Sequence, residues 1–345
     1  MISVIGTVGV PACYGGFESL VENLIPSKKI GLIYCSKQAY NEQQDYYKNT
    51  KLKFIPLNAN GVQSIPYDII SILHSLFFTK NDLLILGVSG AIALPIFKVF
   101  TRRKVVTNID GLEWKRAKWG RFAKWFLRFS EKVAVKFSDT VIADNAAIAE
   151  HVKASYGVDA EVIAYGGDHA VTDIIPTEKK SYSLALCRIE PENNVEMILS
   201  AFSLIPNEQI KFIGNWNNSE FGKQLKVRFK DFSNIELIDP IYDLNQLFEI
   251  RKNAKVYVHG HSAGGTNPSL VEMMFFRIPI YCFDCNYNKA STEDKAKYFY
   301  SDKNLVELIN ENNEVENNQI GSQMKEVAER RYTWKIVKQQ YEDLF

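Results

Sequence analysis

Net charge, long apolar runs and paired cysteines are all scarce in this chain of 345 residues. Lys and Arg number 41 against 40 Asp and Glu, so no protein-wide basic field of the kind that draws nucleic acid is expected. The most apolar uncharged run, LLILGVSGAIALPIF at 83–97, is shorter than a membrane span. Gly87, Gly90 and Pro95 break it, and it reads as a strand followed by a buried helix. The opening MISVIGTVGVPA lacks the basic and long apolar regions of a secretory signal. Five cysteines (Cys13, Cys35, Cys187, Cys282 and Cys285) are odd in number and scattered, which argues against a disulfide framework and for the cytosol. Cys282 and Cys285 form a C-x-x-C, yet no second Cys or His pair at finger spacing accompanies it, so no metal site is expected. No H-E-x-x-H and no Ser-His-Asp order supports a zinc protease or a hydrolase triad.

What the chain does have is alternation. Apolar runs read as strands: MISVIG, IGLIYC, LKFIPL, DLLILGVS, KVVTNID, DTVIADN and AEVIAYGG, with helical spacing between most of them. The pattern restarts with YSLALCRIE, IKFIGNWN, IELIDPI, AKVYVHGH and PIYCFD. Continuous apolar strands separated by helices imply parallel sheets covered on both faces. The expected organisation is α/β with two Rossmann-like domains, 1–170 and 171–330, joined by a polar linker near 168–180. An amphipathic helix over 331–345 is expected to pack back toward the first domain. Open parallel sheets bind ligands beyond the carboxyl ends of their strands, so the site is expected in a cleft between the domains.

The stretch HGHSAGGTNPSLVEMMFFRIP, residues 259–279, carries the most chemistry. AKVYVHG is a strand, Asn267 suits a helix N-cap, and Pro268 suits the first helical position. Gly264 and Gly265 remove side chains where a ligand approaches the backbone, and the helix start offers free N–H groups to an anion. Glu272, one turn deeper on the same face, is placed to accept hydrogen bonds from hydroxyls beside that anion. A phosphate flanked by a vicinal diol describes a nucleotide ribose; the alternative is a well-capped helix with a solvent-facing glutamate. Arg188 leaves the first strand of the second set, either to clamp a diphosphate in bidentate fashion or to pair with Glu190 or Glu192 on the surface.

Two further stretches stand out. The opening GTVGVPACYGGFESLVENL is glycine-rich, but Gly6 to Gly9 is the wrong step for G-x-G-x-x-G, which disfavours a dinucleotide dehydrogenase. Gly15 and Gly16, just before a helix with Glu18, still suit close approach of a ligand. In 113–137, eight basic residues against Glu113 and Glu131 leave a local charge of +6 (8 − 2). On a helical projection Phe122, Phe126, Phe129 and Val133 form one face, beside a stripe of Arg121, Lys124, Arg128 and Lys132. Such a helix either lies on an anionic membrane or faces the core with a solvated basic side. His74, in an apolar helix, reads as structural; His259 and His261 flank the anion loop and either touch a ligand or stabilise the loop.

Together these stretches resemble the retaining, nucleotide-sugar-dependent glycosyltransferases of the GT-B fold, the large family 4 group, over nearly the whole chain. GTVGVPACYGGFESLVENL, NIDGLEWKRAKW, CRIEPENN and HGHSAGGTNPSLVEMM resemble more narrowly a bacterial rhamnosyltransferase subgroup of surface-polysaccharide biosynthesis. The resemblance implies two Rossmann-like domains facing a central cleft. Glu272 corresponds to the second glutamate of the E-x7-E motif, which binds the donor ribose. Gly265, Thr266 and Asn267 would hold the diphosphate through backbone amides, and Arg188 matches the phosphate-binding arginine. Ile241 falls where the nucleobase is held, Gly15 and Gly16 match the loop that meets donor phosphate and acceptor, and Asp110 stands where many relatives have a histidine.

Three departures accompany the likeness: Gly264 replaces the first glutamate of the motif, Asn193 the usual lysine, and Asp110 the histidine. The implied activity is transfer of a hexose, with rhamnose favoured, from a nucleoside diphosphate (dTDP-rhamnose) to a saccharide or polyprenyl-diphosphate-linked acceptor. No cofactor or metal is implied. The expected location is the cytoplasm, peripheral on the inner face of the plasma membrane. Asp110 is a candidate proton acceptor, and Arg188 the group that stabilises the leaving diphosphate. A non-catalytic scaffold of polysaccharide assembly and a nucleotide-sugar epimerase of the same fold are the alternatives.

Overall fold

A computed structural model describes the whole chain except residues 13–14, 113, 115–119, 174–181 and 312. It divides into two units: residues 1–165 with 335–345, and residues 166–334. The backbone therefore passes between units twice, at Tyr165/Gly166 and at Trp334/Lys335. Most of the stretch read as a linker lies outside the described residues.

In the first unit the apolar runs become β1 (Ile2–Ile5), β2 (Ile30–Ser36), β4 (Thr50–Ile55), β5 (Asp82–Leu86), β6 (Val105–Asn108), β7 (Thr140–Ala143) and β8 (Glu161–Val162). A two-residue strand, β3 (Tyr46–Tyr47), pairs antiparallel with β4 and was not announced by any apolar run. The sheet runs β3-β4-β2-β1-β5-β6-β7-β8, otherwise parallel. Its central strands are buried on both faces, as at Val4 and Ile85, which is why they carry no alternation. Helices α1 (Gly16–Leu24), α2 (Ser64–Phe78), α3 (Leu94–Phe100), α4 (Arg121–Phe137) and α5 (Ala146–Tyr156) cover it.

The second unit repeats the plan with β9 (Tyr182–Leu186), β10 (Gln209–Ile213), β11 (Ile235–Ile238), β12 (Val256–His259), β13 (Ile280–Phe283) and β14 (Lys297–Phe299), ordered β11-β10-β9-β12-β13-β14 and all parallel. The helices here are α6 (Val195–Ser203), α7 (Glu220–Phe229), α8 (Leu244–Asn253), α9 (Pro268–Met274), α10 (Asn286–Thr292), α11 (Asp302–Glu311) and α12 (Glu314–Arg331). The core packs Phe202, Phe212, Trp216 and Phe299 between sheet and helices, and Trp216 satisfies its indole N–H on the carbonyl of Ile238 at 3.0 Å. A last helix, α13 (Trp334–Asp343), begins at the second passage, and its residues from Lys335 belong to the first unit.

Candidate functional site

In the second sheet the strand order turns at β9, which has β10 on one side and β12 on the other. Loops leaving two such neighbouring strands diverge, and the crevice between them is where open parallel sheets bind ligands. Arg188 lies two residues beyond β9. It is exposed, and its guanidinium makes no hydrogen bond or ion pair among the described residues. The surface pairing with Glu190 or Glu192 is not formed.

The loop after β12 is stitched to the loop after β9. Asn193 donates from Nδ2 to the Arg188 carbonyl at 2.7 Å, and its Oδ1 lies 2.7 Å from Nδ1 of His261. With the amide so oriented, His261 carries its proton on Nδ1. Asn194 donates to the Gly260 carbonyl at 2.8 Å, and Ser262 donates to the Glu192 carbonyl through both N (2.9 Å) and Oγ (2.7 Å). Asn193, in the place of the expected lysine, is 3% exposed and serves as a clasp between the loops. Gly264 has φ +129, and a β-carbon there would lie 3.1 Å from Nε2 of His261. The missing first glutamate thus has a backbone cause: this loop follows a course that L side chains rarely adopt.

Beyond Gly264, Gly265 is half-buried and Thr266 is buried, with Ser291 Oγ 3.3 Å from its Oγ1. Asn267 caps α9 by accepting from Ser269 N at 3.0 Å, and Pro268 takes the first helical position. Ile241 lies half-buried in the loop between β11 and α8. His259 is fully packed, with Nδ1 3.4 Å from the Tyr257 hydroxyl, and burial pushes its pKa well below the ordinary value. Cys285 donates to the His261 carbonyl at 3.6 Å, while Cys282 is buried in β13, where its thiol is pushed up by burial.

Glu272 is neither a free acceptor nor solvent-facing. Its Oε2 is bonded to Arg251 of α8, and its Oε1 lies 3.4 Å from His169 Nε2. His169 in turn accepts at Nδ1 from the indole N–H of Trp334 at 2.9 Å, which puts its proton on Nε2, toward Glu272. Burial alone would raise the Glu272 pKa, but the charge of Arg251 and the His169 hydrogen bond outweigh it and hold the carboxyl below its ordinary value. The side chain keeps 15% of its surface open, and each oxygen retains a second lone-pair direction for a hydroxyl. Arg251, His169 and Trp334 were not read from the sequence. In LFEIRKN, Arg251 looks like an ordinary cation in a last helical turn.

In the first unit the space beside Gly15 is taken by protein. A β-carbon there would fall 2.0 Å from the Glu18 carboxylate, which accepts from Thr7 Oγ1 (3.1 Å) and Val8 N (2.8 Å) and so folds the glycine loop around itself. A β-carbon at Gly16 would meet the Tyr165 ring at ordinary contact distance. Asp110 adopts φ +60, held by its N–H donating to Asn108 Oδ1 at 2.9 Å. Asn108 is itself anchored on the Tyr341 hydroxyl at 2.8 Å. Such left-handed backbone at a non-glycine residue is costly and concentrates at functional positions.

On α4 the core-facing alternative is not formed. The helix buries Ser130, Glu131, Ala134 and Val135, and leaves Phe122 and Phe129 exposed together with Trp125. The face joining Phe122, Phe126, Phe129 and Val133 is therefore not the core face. The buried turn is set by Glu131, which accepts from Trp114 Nε1 at 3.0 Å and Tyr156 OH at 2.7 Å. Arg121, Arg128 and Lys132 are exposed and Lys124 is half-buried, with Arg128 stacked 4.4 Å from the Trp114 ring centre. His74 is structural, with Nδ1 2.9 Å from the Tyr34 hydroxyl.

A family model described as a domain of unknown function, DUF1972, matches residues 1–168. No curated protein matches the chain in sequence. Solved structures match its fold throughout. Sucrose-phosphate synthase from Thermosynechococcus elongatus superposes with a TM-score of 0.81 at 12% identity, covering 99% of this chain and 97% of its own. HepE from Anabaena in complex with UDP gives 0.75 at 14%, covering 99% and 98%. A glycosyltransferase from Rickettsia africae gives 0.72 at 11%, covering 99% and 97%. The fold is GT-B.

Proposed function

We propose that the protein is a retaining glycosyltransferase that moves a hexose from a nucleoside diphosphate to an acceptor hydroxyl. The observation that carries this reading is the switch point of the second sheet. There Arg188, whose guanidinium has no partner among the described residues, is held at its carbonyl by Asn193, which clasps it to the loop that leads into Glu272's helix. Diphosphate charge would meet Arg188 and the amides of Gly265–Asn267, placed where negative charge grows as the glycosidic bond breaks. The ionised, partly open carboxylate of Glu272 suits the ribose hydroxyls, and Ile241 the base. HepE, of the same fold, has been solved with UDP and with UDP-glucose, which supports a nucleotide-sugar donor.

Retention by front-face attack, with the donor phosphate taking the acceptor proton, needs no protein base. Asp110 and the Gly15–Gly16 loop are proposed to stand on the acceptor side, Asp110 as an additional proton acceptor. No cofactor enters the reading. The resemblance to the rhamnosyltransferase subgroup favours dTDP-rhamnose as donor, a saccharide or polyprenyl-diphosphate-linked acceptor, and a role in surface-polysaccharide assembly. Work on a lipid-linked acceptor places the protein in the cytoplasm against the inner face of the plasma membrane, which the basic residues of α4 favour.

A thermal-shift series with dTDP-, UDP- and GDP-sugars tests the donor site. One nucleotide is expected to raise the melting temperature by mass action, and to lose that effect in Arg188→Ala. No shift with any nucleotide sugar sinks the proposal. Product formed without acceptor would replace transfer by epimerisation or hydrolysis.

A further inference from the structure

One face of the first unit is apolar, cationic and uncovered. α2, α3 and α4 form a single layer, with α3 packed against both neighbours. At the end of α2, Phe77 and Phe78 are 71% and 76% exposed. α3 turns Ile96, Val99 and Phe100 outward. The two helix ends adjoin, because the Arg103 guanidinium just beyond α3 donates to the carbonyls of Ser75 (3.1 Å) and Thr79 (2.9 Å) at the end of α2. On α4 the outward residues Phe122, Trp125 and Phe129 fall at i, i+3 and i+7. Their rings succeed one another with centres 5.8 and 6.0 Å apart.

The charges on this layer are mostly positive. Lys80, Arg102, Arg121, Arg128 and Lys132 are exposed. Among the described residues from 62 to 139 the acids are Asp68, Asp82, Asp110, Glu131 and Asp139; of these Asp139 alone is exposed, and it is paired with Lys98 of α3. A run of bulky apolar side chains across three helices is unfavourable in water and marks a surface that something covers. Phe and Trp interleaved with Lys and Arg suit the boundary between lipid headgroups and acyl chains. A rim whose exposed cations outnumber its one exposed acid, itself paired with Lys98, suits anionic lipid. No described helix is long and apolar enough to cross a bilayer, so contact would be at its surface.

We infer that α2, α3 and α4 together form a docking surface for an anionic lipid membrane, the aromatic rings entering the headgroup boundary and the cations meeting lipid phosphates. This deepens the membrane location in the proposed function, since it names three helices where the basic stripe of α4 named one. It is read without donor or acceptor, so it stands or falls separately from transfer.

The test is co-sedimentation of the full chain with phosphatidylcholine vesicles, with and without phosphatidylglycerol, at low and high salt. Binding is expected to the anionic vesicles and to weaken with salt. Arg121→Gln and Lys132→Gln should each lower affinity about fivefold. Phe77→Ser/Phe78→Ser and Val99→Ser/Phe100→Ser, which change no charge, should weaken it by a similar factor or more. Circular dichroism checks that each variant is folded. The inference is overturned if the α2 and α3 variants bind like the unaltered chain, or if vesicles with and without phosphatidylglycerol bind equally. It is equally overturned if no vesicle binds and sedimentation shows a dimer that Phe77→Ser/Phe78→Ser dissociates, since a second copy would then cover the face. Transfer to a soluble acceptor, assayed without vesicles, reports on the catalytic reading alone.

Discussion

Arg251 and Glu272 are joined across α8 and α9 as an ion pair in which the guanidinium is 3% exposed and the carboxylate 15%. The residue proposed to receive the ribose is thus held in place by a cation almost closed off from solvent. Removing that cation should do more than change binding. Arg251→Met is expected to cost about 3 to 5 kcal/mol in urea denaturation, because it strands a carboxylate in a poorly solvated place. Adding Glu272→Gln should recover part of the loss. Additive losses would mean that the two side chains do not act as a pair.

Asn193 stands where the resemblance to family 4 glycosyltransferases implies a lysine, and Asn193→Lys looks like a repair. The opposite is expected. The side chain is buried, one of its hydrogen bonds braces the loop after β9 at Arg188 and the other ties that loop to His261, so an ammonium there should destabilise by about 3 to 5 kcal/mol. Asn193→Ala should raise the donor KM more than it lowers kcat, since it frees the loop rather than removing a group that meets the phosphate. Equal melting temperatures for Asn193→Lys and the unaltered chain would refute the clasp.

Gly264→Glu, the other apparent repair, should also fail. Backbone at φ +129 with a side chain costs about 1 to 3 kcal/mol, and the new β-carbon would press on His261. Thermal unfolding and donor affinity should both worsen, and a gain in transfer rate would show that the loop can take another course.

Acid should weaken the second unit through two carboxylates whose folded pKa values are depressed. Glu272 lies below its ordinary 4.5, and Glu293 falls to about 2 because the bonds from Arg330, Lys295 and Arg331 outweigh its burial. A depressed folded pKa means the unfolded state binds protons first as pH falls. The stabilisation is therefore complete above about pH 4.5 and is lost progressively toward about pH 2. Urea midpoints measured across that window should fall, and Glu293→Gln should flatten the fall. A midpoint independent of pH there would contradict both ion pairs.

The sequence made the strands legible because parallel strands buried on both faces must be continuously apolar, and it made the α9 cap legible because Asn-Pro-Ser is a local signal. It did not announce β3 or β14, which are two and three residues long and carry too little pattern. On α4 periodicity found an amphipathic helix but left open whether its aromatic face meets the core, and the structure turns that face outward. The turn was decided by Glu131, a charged residue drawn inward by Trp114 and Tyr156.

Local chemistry alone thus determined two α/β units, an arginine beyond β9, and a glycine-rich loop opening a helix with one glutamate. Only the tertiary structure decided what those residues touch. Arg251 and Glu272 are 21 positions apart, Asn193 and His261 are 68, and His169 and Trp334 are 165. Such pairs leave no periodicity in the chain, because they exist only once strands and helices distant in sequence have packed together.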